Sequence, residues 1–121
     1  MAIDKLAIGR MGEDAAARAL KKNGYMIVAK NFRCRFGEID IIAKDGKTLV
    51  FVEVKTRASD AFGTPGASVD ARKQRRIITA SSIYMNENGL DDAAVRFDVV
   101  GVDTSGGEVL RVEIIRDAFG A

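Results

Sequence analysis

The chain has 121 residues, of which 47% are hydrophobic and 30% charged, and its formal net charge is +2. This balance is that of an ordinary globular protein with one modest core, so it excludes a disordered chain and gives only weak support for a polyanionic partner. The single cysteine, Cys34, excludes an internal disulfide, and the absence of histidine excludes histidine-based catalysis and disfavours a zinc site. Any hydrolysis must therefore depend on carboxylates, lysine and a hard metal.

Hydrophobic periodicity predicts two helices and five strands in the order αβββαββ. The first helix has apolar residues at helical spacing between about Ile3 and Asn23, and Gly24 is its predicted end. The second helix is predicted to be capped by Ser68, to carry Asp70 in its first turn and to end near residue 86. The predicted strands are residues 25–29, 37–43, 48–55, 95–102 and 108–115. A helix between the third and fourth strands permits a parallel crossover, so the order predicts an α/β sandwich with a mixed five-stranded sheet flanked by helices.

No linker or repeat divides the chain, which predicts a single domain over residues 1–121. The chain lacks an apolar stretch of about 18 residues and a signal-peptide pattern. We therefore expect a cytoplasmic protein that has no membrane partner.

The second and third strands form a predicted hairpin, because Asp45-Gly46 separates two apolar runs. Side chains alternate along each strand, and opposed residues share a face. A turn centred on Asp45-Gly46 gives the predicted pairs Lys44 with Lys47, Asp40 with Phe51 and Glu38 with Glu53. One face of this hairpin is then entirely apolar and must be core: Ile39, Ile41, Ala43, Val50, Val52 and Val54.

The other face of the hairpin is polar at its open end, where it carries Glu38, Asp40, Glu53 and Lys55. Two carboxylates opposed across a strand pair destabilise it, and a divalent cation would remove that penalty. Oxygen ligands suit Mg²⁺ or Mn²⁺, and Lys55 lies beside the predicted metal, where it could activate a water or neutralise charge on a phosphate. The alternative interpretation is a solvated salt bridge between Lys55 and one of the carboxylates.

An aspartate on one strand followed by Glu-x-Lys on the next resembles the PD-(D/E)XK, or restriction-endonuclease-like, nuclease superfamily. Within it the chain is similar to the YraN-like bacterial proteins, which are predicted endonucleases, and its motif spacing is similar to that of archaeal Holliday junction resolvases. Ile39 departs from the pattern, because it stands where the superfamily label has proline. The matching segments span nearly the whole chain: Gly12-Glu13, Asn31-Phe32-Arg33, Gly37-Glu38-Ile39-Asp40, 51–57, Lys73-Gln74 and Arg96-Phe97-Asp98.

The resemblance implies a restriction-endonuclease-like fold and a metal-dependent endonuclease that acts on DNA, with Asp40 and Glu53 holding one or two Mg²⁺ (or Mn²⁺) ions. A main-chain carbonyl near Val54 would assist them, and Lys55 would position or deprotonate the attacking water. Glu13 would approach the metal directly or through water. The alternative for Glu13 is a carboxylate near the start of the helix that interacts with the helix dipole.

The resemblance also implies that Gln74 and Lys73, on the second helix, occupy the polar position that supports the site in related nucleases. For both residues, the alternative is a solvated helix face. Asp98 lies in an apolar strand, and it and Arg96 are expected to form a structural bridge if they do not join the site.

Basic residues cluster before the hairpin and on the second helix, and they are candidates for contact with DNA phosphates. Phe32 and Phe36 are interleaved with the first cluster and could stack on exposed bases. Solvated surface charge is the alternative interpretation of both clusters. The predicted nucleic-acid-binding residues are Arg33, Arg35, Arg57, Arg72, Lys73, Arg75 and Arg76.

Three classes of function remain open at this point: the endonuclease, a non-catalytic nucleic-acid-binding module of the same fold, and a small protein-interaction domain. The likeness to junction resolvases also implies a homodimer, because symmetric cutting of two strands needs two sites related by a two-fold axis. Residues 56–66, which contain the only proline, form a predicted loop. Within that loop Phe62 is either a dimer contact or a lid over the substrate.

Overall fold

The computed structural model describes residues 5–58 and 69–120, and within those ranges it contains two helices and five strands. In chain order they are α1 (Lys5–Lys22), β1 (Met26–Cys34), β2 (Gly37–Asp45), β3 (Thr48–Ala58), α2 (Ala71–Glu87), β4 (Val95–Ser105) and β5 (Glu108–Phe119). This order confirms the predicted αβββαββ arrangement. The predictions for Ile3, Phe62, Pro65 and Ser68 themselves lie outside the described residues.

The five strands form one mixed sheet in the order β1-β2-β3-β4-β5. β3 and β4 are parallel and the other neighbouring strands are antiparallel. The parallel pair is possible because α2 returns the chain between the ends of β3 and β4, as the sequence predicted. Neither helix in the described ranges has the combination of length and apolarity that crossing a bilayer requires.

Each helix covers one face of the sheet and buries a separate apolar cluster. The cluster under α1, between that helix and the sheet, contains Ala15, Ala16, Ala17, Leu20, Tyr25, Ile41, Ala43, Val50, Val52, Val100 and Val102. The cluster under α2, between that helix and the other face, contains Ile39, Ile42, Leu49, Phe51, Val69, Ile77, Ala80, Phe97 and Val99. Because β3 contributes to both clusters, its side chains are held from both faces, and this rigid central strand carries Glu53 and Lys55.

The register of the β2–β3 hairpin differs by two residues from the predicted one. The observed pairs are Asp45 with Thr48, Lys44 with Leu49 and Ile42 with Phe51. The turn therefore consists of Gly46 and Lys47, with Gly46 at a φ of 62° in the first central position, where a two-residue hairpin of this kind favours glycine. A shift of two residues does not by itself move a side chain to the other face, so Asp40 and Glu53 stay together.

The prediction of one continuous apolar face was wrong for Ile39. Ile39 packs in the cluster under α2, whereas Ile41, two residues later, packs in the cluster under α1. Strict alternation would put both residues on one face, so the alternation of β2 is broken once between them. The break lies at Asp40, where the pairing of β2 with β3 also ends.

The helix cap was assigned to the wrong residue by the sequence. α2 begins at Ala71, and its N-cap is Asp70, whose side chain accepts a hydrogen bond from the Lys73 backbone N–H at 2.8 Å. Aspartate is as effective as serine in this position, so composition alone could not separate the two choices. The later start of the helix fixes Lys73 in its first turn, next to the sheet.

Arg96 and Asp98 form the structural bridge that was one of the two expectations for them. Asp98 is fully buried and accepts hydrogen bonds from the Tyr25 hydroxyl at 2.7 Å, from Arg96 Nε at 2.9 Å and from the Asp117 backbone N–H at 3.0 Å. Arg96 also contacts Asp45 at 2.9 Å. Partners surround this buried carboxylate, so the network joins β2, β4 and β5 and fastens Tyr25, the residue before β1, to them.

Candidate metal centre

The candidate site lies where β2 and β3 separate. Their pairing ends at Ile41 and Val52. Beyond that point, the Asp40 carboxylate replaces the backbone of β2 as a partner for β3, because its Oδ2 accepts a hydrogen bond from the Val54 N–H at 2.8 Å. The two strands therefore open into a wedge, and Asp40 occupies it.

Asp40 and Glu53 form a close carboxyl pair in this wedge. Glu53 is 95% buried, since only 5% of its surface is exposed. Burial raises the pKa of Asp40 to about 8, and the charge of Glu53 and a hydrogen bond to it add to the rise, while the Val54 N–H acts in the opposite direction. Ionising both carboxylates in this position is therefore unfavourable below about pH 8, and a bound cation would lower that cost.

Two lysines reach the carboxyl pair from different elements. Lys73 on α2 places its Nζ 3.0 Å from Glu53 Oε1. Burial alone would lower the pKa of Lys73, but the charge of Glu53 and the hydrogen bond to it, together with Lys55 and Asp40, outweigh burial, so the net change is a rise. The pKa of Lys55 is lowered by burial and by its hydrogen bond to Lys73 and the charge of that lysine. Lys73 therefore retains its proton, and Lys55 is the amine that more readily gives its proton up.

Glu13 approaches the same wedge from α1. The helix can come close to β3 because residue 12 is glycine: a Cβ atom there would collide with the Thr56 side chain. Glu13, Glu38 and Asp40 each offer a carboxylate oxygen, and these oxygens lie within 4.8 Å of one another. Burial and the neighbouring charge of Glu38 raise the pKa of Glu13.

Asn31 lies beside this acidic group, and its backbone has a φ of 54°. Oriented as its surroundings require, its amide nitrogen donates to Glu13 at 2.9 Å and to Glu38 at 3.2 Å. A positive φ is more common for asparagine than for most residues with a side chain. Asn31 thus fixes two of the carboxylates in place.

Two open clefts meet at the acidic residues, and both are lined by Glu38, Asp40 and Glu53. The cleft on the α2 side has a volume of about 450 Å³ and is also lined by Arg72 and Arg76. The cleft on the α1 side has a volume of about 620 Å³ and also contains Lys55. An extended ligand that lay along both clefts would pass over the carboxylates where the clefts meet.

Several of the predicted basic residues surround these clefts. Arg33 is exposed and lies 3.7 Å from Glu38, and Arg35 is exposed at the turn between β1 and β2. The exposed side of α2 carries Arg72, Arg75 and Arg76. Arg57, in contrast, forms an ion pair with Asp103 at 2.9 Å, and its side chain is only 18% exposed. Arg57 therefore has a structural role within the sheet, and its contact with nucleic acid stays a prediction.

The described hydrogen bond of the Gln74 side chain does not involve the carboxylates. Its amide nitrogen donates to the Val69 carbonyl at 2.9 Å, which fastens the segment before α2 to the helix. The neighbouring Lys73 is the α2 residue that contacts Glu53. Because α2 begins at Ala71, Lys73 and not Gln74 is the residue that faces Glu53. The hydrophobic pattern of the sequence does not determine the rotation of the helix about its axis closely enough to predict this.

Two residues at the site were missing from the predicted set of functional residues: Asn31 and Arg10, which lines the α1-side cleft. Glu38 was predicted at the polar end of the hairpin, because alternation put it with Asp40, but it was not predicted as a possible ligand. For Arg10 the signal was its position three residues before Glu13 on one helix. Asn31 gave no comparable signal, because its contacts depend on an unusual backbone angle.

Comparison with known proteins bears on the part of the chain that holds this site. The sequence model described as "Uncharacterised protein family UPF0102" matches residues 12–102, which include Glu13, Asp40, Glu53, Lys55 and Lys73. The chain belongs to the UPF0102 family. This membership confirms the YraN-like resemblance.

UPF0102 proteins from several bacteria match nearly the full chain. One from Syntrophus aciditrophicus is 51% identical over 114 residues, covering 94% of this chain and 89% of its own length. One from Symbiobacterium thermophilum is 49% identical and is covered over 97% of its length. One from Geotalea uraniireducens is also 49% identical, over 96% of this chain and 91% of its own length.

Proposed function

We propose that this UPF0102 protein is a metal-dependent endonuclease that hydrolyses phosphodiester bonds in DNA, with a fold of the restriction-endonuclease-like, PD-(D/E)XK, type. The observation that carries the proposal is the buried carboxyl pair of Asp40 and Glu53 in an open wedge, with the Lys55 amine beside it. Structural ion pairs balance their charges, whereas this pair brings like charges together at the junction of two solvent-filled clefts.

The donor set fits a hard divalent cation. Carboxylate oxygens are the ligands that Mg²⁺ and Mn²⁺ prefer. Burial and the charge of Glu53 raise the pKa of Asp40, and a cation bound between the two carboxylates would oppose that rise. Asp40 and Glu53 would hold the ion, and Glu13 would contribute directly or through water. The N–H and C=O groups of one strand residue point to the same side, so the Val54 carbonyl is expected to face the wedge that its N–H faces.

When bound, the ion would polarise the phosphodiester and stabilise charge on the leaving oxygen. Lys55 Nζ would orient the attacking water and accept its proton, which the lowered pKa of this amine favours. Lys73 stays protonated beside Glu53 and would stabilise negative charge on the phosphate. Glu38 and Asn31 would hold Glu13 in position.

The direct test is a cleavage panel with single-stranded, linear duplex, flapped and four-way-junction DNA, each with Mg²⁺, with Mn²⁺ and with a chelator. We expect metal-dependent cleavage of at least one substrate by the wild type, and none by Asp40→Asn or Glu53→Gln. The same two variants should lose metal binding in calorimetry. Metal binding that is unchanged in both variants would refute the proposed centre.

A non-catalytic DNA-binding module is the second candidate, and one observation favours it. Lys73 already pairs with Glu53 at 3.0 Å, so part of the negative charge is balanced by the protein itself. In that case the basic side of α2 would bind DNA, and the carboxylates would serve only as a network that joins β2, β3 and α2. DNA binding without metal binding, and without cleavage of any substrate in the panel, would favour this candidate.

A further inference from the structure

The turn between β1 and β2 presents an aromatic ring to solvent. β1 ends at Cys34 and β2 begins at Gly37, so the turn consists of Arg35 and Phe36. Phe36 is 44% exposed, and the Arg35 guanidinium lies over its ring, 4.7 Å from the centroid. An exposed aromatic ring gains nothing from core packing, and this one already has a cation on one face.

The other phenylalanine of the same basic run has a different environment. Phe32 packs edge-on against Tyr84, with ring centroids 5.2 Å apart, and contributes to the apolar cluster under α2. Only one of the two rings that the sequence suggested for base stacking is therefore presented to solvent. That ring is Phe36.

Positive charge surrounds the exposed ring. Phe36 lines a groove of about 340 Å³ together with Arg35, Arg72, Arg75 and Arg76. The turn is held against α2 next to these arginines, because Gly37 lies close enough to Arg76 that an added Cβ would be 3.5 Å from the Arg76 Cβ. The ring and the guanidinium groups therefore form one surface built from two elements.

This surface is continuous with the candidate metal centre. Arg72 and Arg76 line both the groove and the cleft that contains Asp40 and Glu53. Asp40 is four residues after Phe36 in the chain, which corresponds to about 13 Å of extended strand. A nucleic-acid strand whose phosphates followed the arginines would reach the carboxylates from the side of the ring.

We propose that Phe36 stacks on an unpaired base beside the cleavage site, so that the substrate is DNA with a single-stranded segment, such as a flap or an overhang. This inference rests on the proposed nuclease function and assigns its substrate class. Inside a duplex both faces of a base are covered by its stacked neighbours, so away from the duplex ends a base can stack on a side chain only when it is released from them. Arg72, Arg75 and Arg76 would contact the phosphates of the same DNA strand. Arg35 would stay on the face of the Phe36 ring that is opposite the stacked base.

The chain contains no tryptophan, which provides a sharp test of the proposal. Phe36→Trp would introduce a single fluorescent indole at the turn. In chelator, where no cleavage occurs, we expect its emission to be quenched by a single-stranded oligonucleotide and by flapped DNA, and much less by a blunt duplex. Leu110→Trp is the matched control, because Leu110 is 56% exposed on β5, at the opposite edge of the sheet. Equal quenching in both variants would overturn the proposal.

Affinity provides an independent readout. Phe36→Leu keeps an apolar side chain but removes the ring, and it should weaken single-stranded DNA binding about five- to 100-fold, in line with the loss of one stacked base. Phe36→Tyr should bind as the wild type does, and blunt duplex affinity should change little in either variant. Wild-type affinity of Phe36→Leu for single-stranded DNA would overturn the proposal. Circular dichroism should confirm that both variants are folded, since the turn is exposed.

The outcomes separate this proposal from the nuclease proposal. Metal-dependent cleavage without quenching of Phe36→Trp would leave the nuclease standing and refute the stacking role. Quenching by single-stranded DNA without cleavage of any substrate would retain the stacking surface and refute the nuclease. The same fluorescence titration with single-stranded RNA would show whether the surface distinguishes the two sugars.

Discussion

At the scale of single residues, the protonation of Asp40 connects the candidate site to stability. The folded protein surrounds this carboxyl with other groups and places Glu53 next to it, so its pKa rises to about 8 from an ordinary value of 3.8. The unfolded chain has no such environment. A residue whose pKa differs between the two states makes the free energy of unfolding depend on pH.

In metal-free buffer, the stability that Asp40 contributes should be fully present below about pH 4 and should be lost as the pH rises to about 8. In this range the folded protein keeps a proton that the unfolded chain has lost, so stability falls as the pH rises. Asp40→Asn does not titrate, and its free energy of unfolding relative to the wild type should therefore increase with pH. Urea unfolding of both proteins across this range would measure the difference.

Added Mg²⁺ provides the check on this interpretation, because it should reduce the pH dependence of the wild type and leave Asp40→Asn unchanged. Parallel stability profiles for the two proteins in metal-free buffer would contradict the raised pKa.

Lys55 is the residue to which we assign proton transfer. Lys55→Ala should reduce cleavage about 100- to 10,000-fold, the range expected for loss of a general base. Metal affinity and folding should change little, because an ammonium group is not a metal ligand. Steady-state cleavage and calorimetric metal titration would measure the two effects.

Lys44→Ala is the matched control for this variant, since Lys44 is exposed on β2 near the turn of the same hairpin. Near-normal turnover of Lys55→Ala would remove Lys55 from the mechanism and return it to the salt-bridge interpretation.

At the scale of elements, the position of α1 depends on one glycine. Gly12 lets the helix approach β3 where an added Cβ would collide with the Thr56 side chain. The adjacent residue, Glu13, thereby reaches the group that contains Glu38 and Asp40. The distance between helix and strand is set by packing, and the electrostatics of the site follow from it.

Gly12→Ala should displace α1 from β3, destabilise the protein by about 1–3 kcal/mol through overpacking, and weaken metal binding because Glu13 moves. Gly9→Ala is the control in the same helix. Its Cβ would meet no atom within 4 Å, so it should stabilise the protein by about 1 kcal/mol through helix propensity. Thermal unfolding and metal titration of the two variants would show the contrast.

A second variant tests whether the collision is the cause. Thr56→Ala removes the hydroxyl that an alanine at position 12 would strike, so the double variant should recover part of the lost stability and metal affinity. Strictly additive effects would show that the loss arises from another source.

The exposed side of α2 carries the charge that should control affinity for DNA. Replacing Arg72, Arg75 and Arg76 with alanine should weaken binding to all sequences and lower the slope of log affinity against log salt by about 0.7–0.9 for each phosphate that is no longer neutralised. The control removes three charges from α1 at Arg18, Lys21 and Lys22, which are exposed away from the two clefts that meet at the carboxylates. An unchanged slope in the α2 variant would place bound DNA elsewhere.

At the scale of the whole molecule, the sequence predicted the order of the elements and the grouping of Asp40, Glu53 and Lys55, because both depend on local periodicity. It missed the register by two residues, because Asp45-Gly46 allows more than one turn. A turn centred on Asp45 and Gly46 needs a positive φ at both residues, and in the structure only Gly46 has one. The change of face at Ile39 could not be predicted from alternation. It arises where Asp40 replaces a backbone partner of β3.

Contacts between elements were the least accessible to prediction from the sequence. Whether Lys73 or Gln74 faces the carboxylates depends on where α2 begins and how it is rotated, and the hydrophobic pattern leaves both uncertain by a residue or two. The approach of Gly12 to Thr56 joins positions 44 residues apart in the chain, and no local pattern encodes it. The supporting role of Asn31 is hidden for the same reason.

Assembly follows from the number of sites. In the proposed nuclease one centre would cut one strand, so symmetric cutting of both strands would require a homodimer. Sedimentation velocity with and without branched DNA should detect a dimer, and Phe62→Ser should weaken it if that residue is a contact, although Phe62 lies outside the described residues. A wild type that stays monomeric at high concentration with DNA bound would instead indicate an enzyme that nicks one strand.

Two acidic residues of the sheet, Asp98 and Asp40, place opposite demands on the chain. Asp98 has a partner for each of its oxygens and strengthens the fold, whereas Asp40 faces another carboxyl and weakens the fold when metal is absent. A selection for heat resistance alone would therefore discard Asp40 early and keep Asp98. Thermal tolerance and the proposed activity thus compete at a single position, and a variant selected for stability alone would lose the proposed metal site.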